Sequence, residues 1–177
     1  DKLDPQSGTA LEIGTSGDTV TIPSGATLVN SGTATGFNNP AFYATAGVTA
    51  QTIADTTFTK MNFGTEVVDT NSAYDTSAMT FTVPAGEGGL YCFFNNIRMP
   101  LSDGEESAFM IDVDGSSDLY SGQQNYPGAN GSFYHNYSTL LNLSAGAVCY
   151  LKMYVTSSGS RTTIASYCYF GGYKIGT

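Results

Sequence analysis

Charge is scarce in this chain, and positive charge is scarcest. Charged residues make up 12% of 177, about half the usual share. Six are Lys or Arg against fifteen Asp or Glu, for a net charge of −9. Such a field repels phosphate backbones, and no basic cluster neutralises them locally, so nucleic acid is not an expected partner. Long apolar runs are missing too. None approaches the ~20 residues that a spanning helix needs, and no membrane insertion is expected. No charged-then-apolar signal peptide stands at Asp1; processing or truncation of a longer parent is the expected reason.

Groups that do chemistry are equally few. His135 is the single histidine, no G-x-S-x-G elbow occurs, and no spacing suits zinc. No catalytic residue, metal ligand or cofactor is therefore assigned, and an enzyme is not expected. His135 itself, in Tyr134-His-Asn-Tyr137, reads as a polar strand or loop residue. The three cysteines, Cys92, Cys149 and Cys168, are odd in number and lack a C-x-x-C pair. Each lies in an apolar strand-like run, which suits free core thiols, and one disulfide remains the alternative. The acidic run Asp112-Val-Asp-Gly-Ser-Ser-Asp118 lacks the full twelve-residue calcium loop. Asp114-Gly115 reads as a hairpin turn.

What is abundant is Gly, Ser, Thr, Asn and Tyr, with aromatics at 12%, a β-rich composition rather than a disordered one. The length suits one domain with a short appendage. We divide the chain into an N-terminal β segment and linker, 1–36, and a main domain, 37–177. In the first, Val20 and Ile22 alternate with Thr19 and Thr21 before Pro23 and Gly25 end the run. So few apolar side chains cannot offset the ordering entropy alone, and the segment needs neighbours, either the main domain or other copies.

In the main domain, candidate strands are 41–44, 58–63, 79–83, 90–98, 109–113, 132–143, 148–155 and 162–175. Helical spacing is absent, so an all-β sandwich or barrel is expected. Several strands are apolar on both faces. Leu90, Cys92 and Phe94 point one way while Tyr91 and Phe93 point the other. The runs 148–155 and 167–175 repeat this pattern with Tyr150, Tyr167, Tyr169 and Tyr173. A sandwich buries one face of each sheet, and the second face would then be an apolar patch larger than soluble monomers tolerate. A symmetric self-interface is the expected cover, formed by Leu90, Cys92, Phe94, Tyr150, Tyr167, Tyr169 and Tyr173.

The order of strands and turns resembles the trimeric jelly roll of the complement C1q and tumour-necrosis-factor superfamily. The resemblance rests on Pro40-Ala-Phe-Tyr-Ala44, on Phe58 to Phe63 continuing to Asn71-Ser-Ala-Tyr-Asp75, and on the Phe, Pro, Gly turn and Tyr-x-Phe of Met79 to Phe93. It continues in Ser138 to Leu151 and closes on Phe170-Gly-Gly-Tyr-Lys-Ile175, so it covers about four-fifths of the chain. Two departures stand out: Gly146-Ala147 where Gly-Asp is frequent, and no collagen-like stalk. In the stalk's place, Gly14 to Thr27 resembles repeats of marine bacteriophage tail-fibre and capsid-fibre proteins, whose strands interlock between chains. Together these imply a homotrimeric jelly roll on a virion surface, docked to other virion proteins through its N-terminal segment.

Recognition would fall on the Tyr-, Ser-, Gly- and Asn-rich stretch 115–138, a paratope-like mixture. Tyr120, Gln123, Asn125, Tyr126, Tyr134 and His135 are its candidates for a host glycan or surface receptor. The alternatives are a capsid cement protein without a receptor role and a secreted cellular lectin-like or ligand-like module. The glycosylation triplets at Asn130, Asn136 and Asn142 would serve the last.

Overall fold

Large side chains on alternate positions demand a sheet with two unlike faces, and the computed structural model has two such sheets. It describes residues 13–29, 31, 39–116, 121–125 and 131–176, with 121–125 described by their backbone alone. The chain divides into two units, Asp1–Phe37 and Asn38–Thr177.

In the first unit, Asp18 folds back on Thr15, accepting its N–H at 2.7 Å and its hydroxyl at 3.0 Å. A second turn joins the Ala26 N–H to the Pro23 carbonyl at 3.0 Å. Residues 13–29 form no strand pair, and every one of them is exposed. The alternation at Val20 and Ile22 therefore forms no ladder among the described residues. Ile22, the best covered of the large apolar side chains over 13–29, is still 50% exposed.

The second unit runs β1 (Ala41–Thr45), β2 (Thr52–Ile53), β3 (Thr59–Lys60), β4 (Thr65–Asp69), β5 (Tyr74–Asp75), β6 (Thr80–Thr82), β7 (Gly89–Leu101) and β8 (Glu106–Val113). It continues through β9 (Ser121–Asn125), β10 (Gly131–Leu143), β11 (Val148–Thr156), β12 (Arg161–Thr162), a 3-10 turn η1 (Ala165–Tyr167) and β13 (Tyr169–Gly176). One sheet has the order β10-β7-β13-β1-β4 and the other β5-β6-β11-β8-β9, with β3 against β11 and a separate β12-β2 pair. The expected strand over 162–175 is broken. Ile164 donates to the Arg98 carbonyl at 2.7 Å, and the chain turns through η1 before it enters the sheet.

Aromatic rings fill the space between the sheets. Phe42 stacks on Phe81 at 4.7 Å and on Tyr74 at 5.0 Å, and meets the Phe170 edge at 5.1 Å. Each such ring removed from water contributes about 1.5–3 kcal/mol. Buried hydroxyls find acceptors: Tyr74 donates to the Phe63 carbonyl at 3.1 Å and Tyr91 to that of Glu87 at 2.7 Å. The β8–β9 hairpin leaves through Asp114 and Gly115, whose φ values of 54° and 79° are those of a type I′ turn. Asp112 is fully buried beneath it, accepts the Gly115 N–H at 2.7 Å and pairs with Lys152. Asp112 is thus used by its own turn, and Asp114 accepts the Val148 N–H at 2.8 Å. All three cysteines are free thiols.

Candidate functional site

Alternation along β7 decides the site. Tyr91, Phe93, Ile97 and Met99 face the core, while Leu90, Cys92, Phe94, Asn96 and Arg98 face outward. Register then sets their neighbours. Leu140, Cys92 and Tyr173 form one row, and Ser138, Phe94, Gly171, Tyr43 and Val68 form the next. Asn136, Asn96, Tyr169 and Thr45 form a third.

The centre of this face is a ring cluster. Phe94 lies 6.3 Å from Tyr43, 6.3 Å from Tyr169 and 6.5 Å from Tyr173, with Tyr43 and Tyr169 5.5 Å apart. Gly171 makes it possible. A Cβ there would stand 2.5 Å from Phe94 Cζ and 3.0 Å from the Phe42 carbonyl oxygen, so only glycine lets the ring lie on the backbone. Around the cluster Leu140, Val68, Tyr173 and Ile175 are 45–55% exposed. Partial burial, and next the neighbouring Tyr169, raise the Tyr43 hydroxyl above its ordinary pKa.

Of the expected interface residues, Leu90, Cys92, Phe94, Tyr169 and Tyr173 share this face, and Tyr167 stands at its end in η1. Tyr150 is not among them. It lies on β11 in the other sheet, with the Lys60 amine 4.2 Å above its ring. Tyr43, Val68 and Leu140 belong to the face and were not anticipated. A two-faced pattern is readable in the long β7, but β1 is short and β4 was not read as a strand at all.

The recognition candidates fare differently. Tyr120 and Tyr126 lie outside the described residues, and Gln123 and Asn125 are placed in β9 by backbone only. Tyr134 projects outward, 47% exposed. His135 corrects the sequence reading. It lies in a strand but points into the core, fully buried, with Nδ1 2.8 Å from the Ser107 hydroxyl. Burial pushes its pKa down to about 4. An imidazole and a serine both at 0% exposure bridge the two sheets and meet no outside ligand. Among the described residues no group of three His, Cys, Asp or Glu converges as for a metal ion. No helix among them is long and apolar enough to cross a membrane.

This architecture has known counterparts. The globular domain of zebrafish complement 1qA protein superposes with a TM-score of 0.54 at 16% identity, covering 78% of this chain and 98% of that one. Murine APRIL at pH 5.0 gives 0.56 at 12% identity, over 78% and 100%. Eiger TNF from S. frugiperda gives 0.53 at 12% identity, over 78% and 92%. No curated protein matches in sequence. The C1q domain pattern matches residues 41–175, from the first strand of the jelly roll to the last, and the chain belongs to the C1q domain family.

Proposed function

We propose that this chain is a homotrimeric, non-enzymatic module on the outside of a virus particle, a fibre, spike or head decoration whose jelly roll is the exposed tip. The observation that carries the assembly is the outward face of the five-stranded sheet, where Phe94, Tyr43, Tyr169 and Tyr173 cluster with half-exposed Leu140, Val68 and Ile175. Contiguous apolar surface of this kind marks an interaction site, and sister copies around a threefold axis would cover it on every subunit alike. Tyrosines suit such an interface, giving area at low entropy with a hydroxyl for its rim.

The virion reading draws on the N-terminal unit. Ile13, Val20, Leu28 and Val29 are 58–78% exposed there. Segments this poor in buried contacts are ordered by partners, which we take to be sister chains and other virion proteins. Host-surface recognition would occupy one end of the jelly roll.

Sedimentation or light scattering on the full chain at micromolar concentration tests the assembly, with three chain masses expected. A monomer overturns it. Replacing Leu140 and Tyr173 together by Asp should give monomers that keep the fold. A secreted cellular module has one point in its favour, the exposed Asn136 and Asn142 of the glycosylation triplets. Both project from β10, the edge strand of the sheet, opposite Asn96 and Leu90.

A further inference from the structure

One corner of the aromatic face is polar. There the guanidinium carbon of Arg98 stands 5.0 Å from the centre of the Tyr134 ring and 4.5 Å from that of Tyr167. The two rings are perpendicular and 5.8 Å apart. Lys152, Arg161 and Lys174 each pair with a carboxylate, those of Asp112, Glu105 and Glu87. Arg98 pairs with none among the described residues, and its Nε has no hydrogen-bond partner. The stack is fixed from behind: the Asn96 amide donates to the Tyr167 carbonyl, and Ile164 N–H donates to the Arg98 carbonyl at 2.7 Å.

The next rung of the same two strands, about 7 Å along, holds a recess of about 280 Å³ lined by Phe94, Asn95, Asn136, Tyr137, Ser138 and Tyr169. Asn96, on the outward side of β7, is 5% exposed, and its Oδ1 has no hydrogen-bond partner; Asn95 alternates with Phe93 and Ile97 toward the core. A half-buried cation without a counter-charge and a buried acceptor without a donor are costly to leave as they are. Together they describe what is missing: a carboxylate for Arg98, a hydroxyl donor near the Asn96 amide, and a flat apolar surface for the rings. β10 is the edge strand of its sheet, so Tyr134 and Asn136 stand at the rim of the face, while Phe94 and Tyr169 on the inner wall of the recess belong to the central cluster.

The geometry points to a binding site for a carboxylate-bearing sugar, with Arg98 taking the carboxylate, Tyr134 and Tyr167 flanking it, and a hydroxyl directed to the recess beside Asn96 and Asn136. This rests on the reading of the jelly roll as a recognition module. A neutral sugar leaves Arg98 unpaired, and a nucleic-acid polyanion meets a net charge of −9. The stack is pre-organised, so little binding energy is lost in ordering it.

The test is titration of the full chain with glucuronic acid, followed by NMR of the arginine and amide side chains, with glucose and acetate as controls. Glucuronate should give saturable shifts at Arg98 and Asn96, with glucose and acetate at least tenfold weaker. Arg98→Gln should lower the affinity about 10- to 100-fold, as for loss of a charged hydrogen bond. Tyr134→Ala removes an exposed ring without touching the core, so it should weaken binding while the thermal melt stays unchanged. Tyr154→Ala, on the other sheet, should leave affinity alone. Equal binding of glucose, unaltered binding by Arg98→Gln, or no saturable shift overturns the inference. A trimeric mass with no glucuronate binding would do so while leaving the assembly standing.

Discussion

Gly171→Ala isolates the packing that builds the aromatic face. The new methyl would meet Phe94 Cζ at 2.5 Å, Phe94 Cε2 at 2.8 Å and the Phe42 carbonyl oxygen at 3.0 Å. The ring can swing, but it is then lifted off the sheet and away from Tyr43, Tyr169 and Tyr173. The carbonyl belongs to β1, paired on both sides, and cannot move alone. Overpacking of this kind costs about 1–3 kcal/mol, a fall in Tm of roughly 3–10 °C for a domain of this size. Phe94→Ala removes the mobile half of the clash, so in the double variant the alanine should cost about 1 kcal/mol less than it does alone. Urea unfolding of the four proteins, run at two concentrations, measures this. Only the contribution of assembly depends on concentration. Unchanged stability in Gly171→Ala, or strictly additive costs in the double variant, would refute the account of how Phe94 is seated.

Asp112→Ala should destabilise the domain by about 3–5 kcal/mol, because Lys152 loses the partner of a buried pair and the 114–115 turn loses its anchor; denaturant unfolding reads this. His135 makes stability depend on pH. Its native pKa, lowered by burial to about 4, lies below the ordinary 6.5, so the unfolded chain takes the proton first. The associated stability is complete above pH 6.5 and falls by up to about 3 kcal/mol as pH drops towards 4. A His135→Gln variant should flatten the melting profile across that window, and an unchanged profile would contradict the burial. A thiol reagent at pH 8 should modify Cys92 well before Cys149, whose thiol burial pushes up to about 12, and before buried Cys168. Simultaneous labelling of all three, read by intact mass, would indicate that the sheets open.

The long strands were legible because β7, β10 and β11 each carry enough alternating residues to declare a period. The two-faced reading of Leu90 to Phe94 matches the placement of Tyr91 and Phe93 in the core and of Cys92 and Phe94 outside. Two-residue strands such as β2 and β5 leave no period to read; their pairing depends on distant partners, as with Thr52 and Thr162. The same limit hid the site. Tyr150 and Tyr169 sit in similar-looking runs, and only register places one on each sheet. His135 stands between Tyr134 and Asn136, which are both exposed, and strand alternation turns it inward. Arg98 carried no signal at all, since its meaning comes from Tyr167, which η1 brings back to it.

The position of β13 has a consequence for biosynthesis. This strand fills the middle of its sheet, between β7 and β1, with Tyr173 opposite Ala41. A ribosome adding roughly 5–20 residues per second reaches it many seconds after β1 has emerged. Until then Phe42 and Phe93 have no lid, and the β7–β10 ladder is an open edge of the kind that templates misassembly. A nascent chain stalled before Tyr169 should therefore be held by chaperones or degraded rather than stored as a partly folded domain.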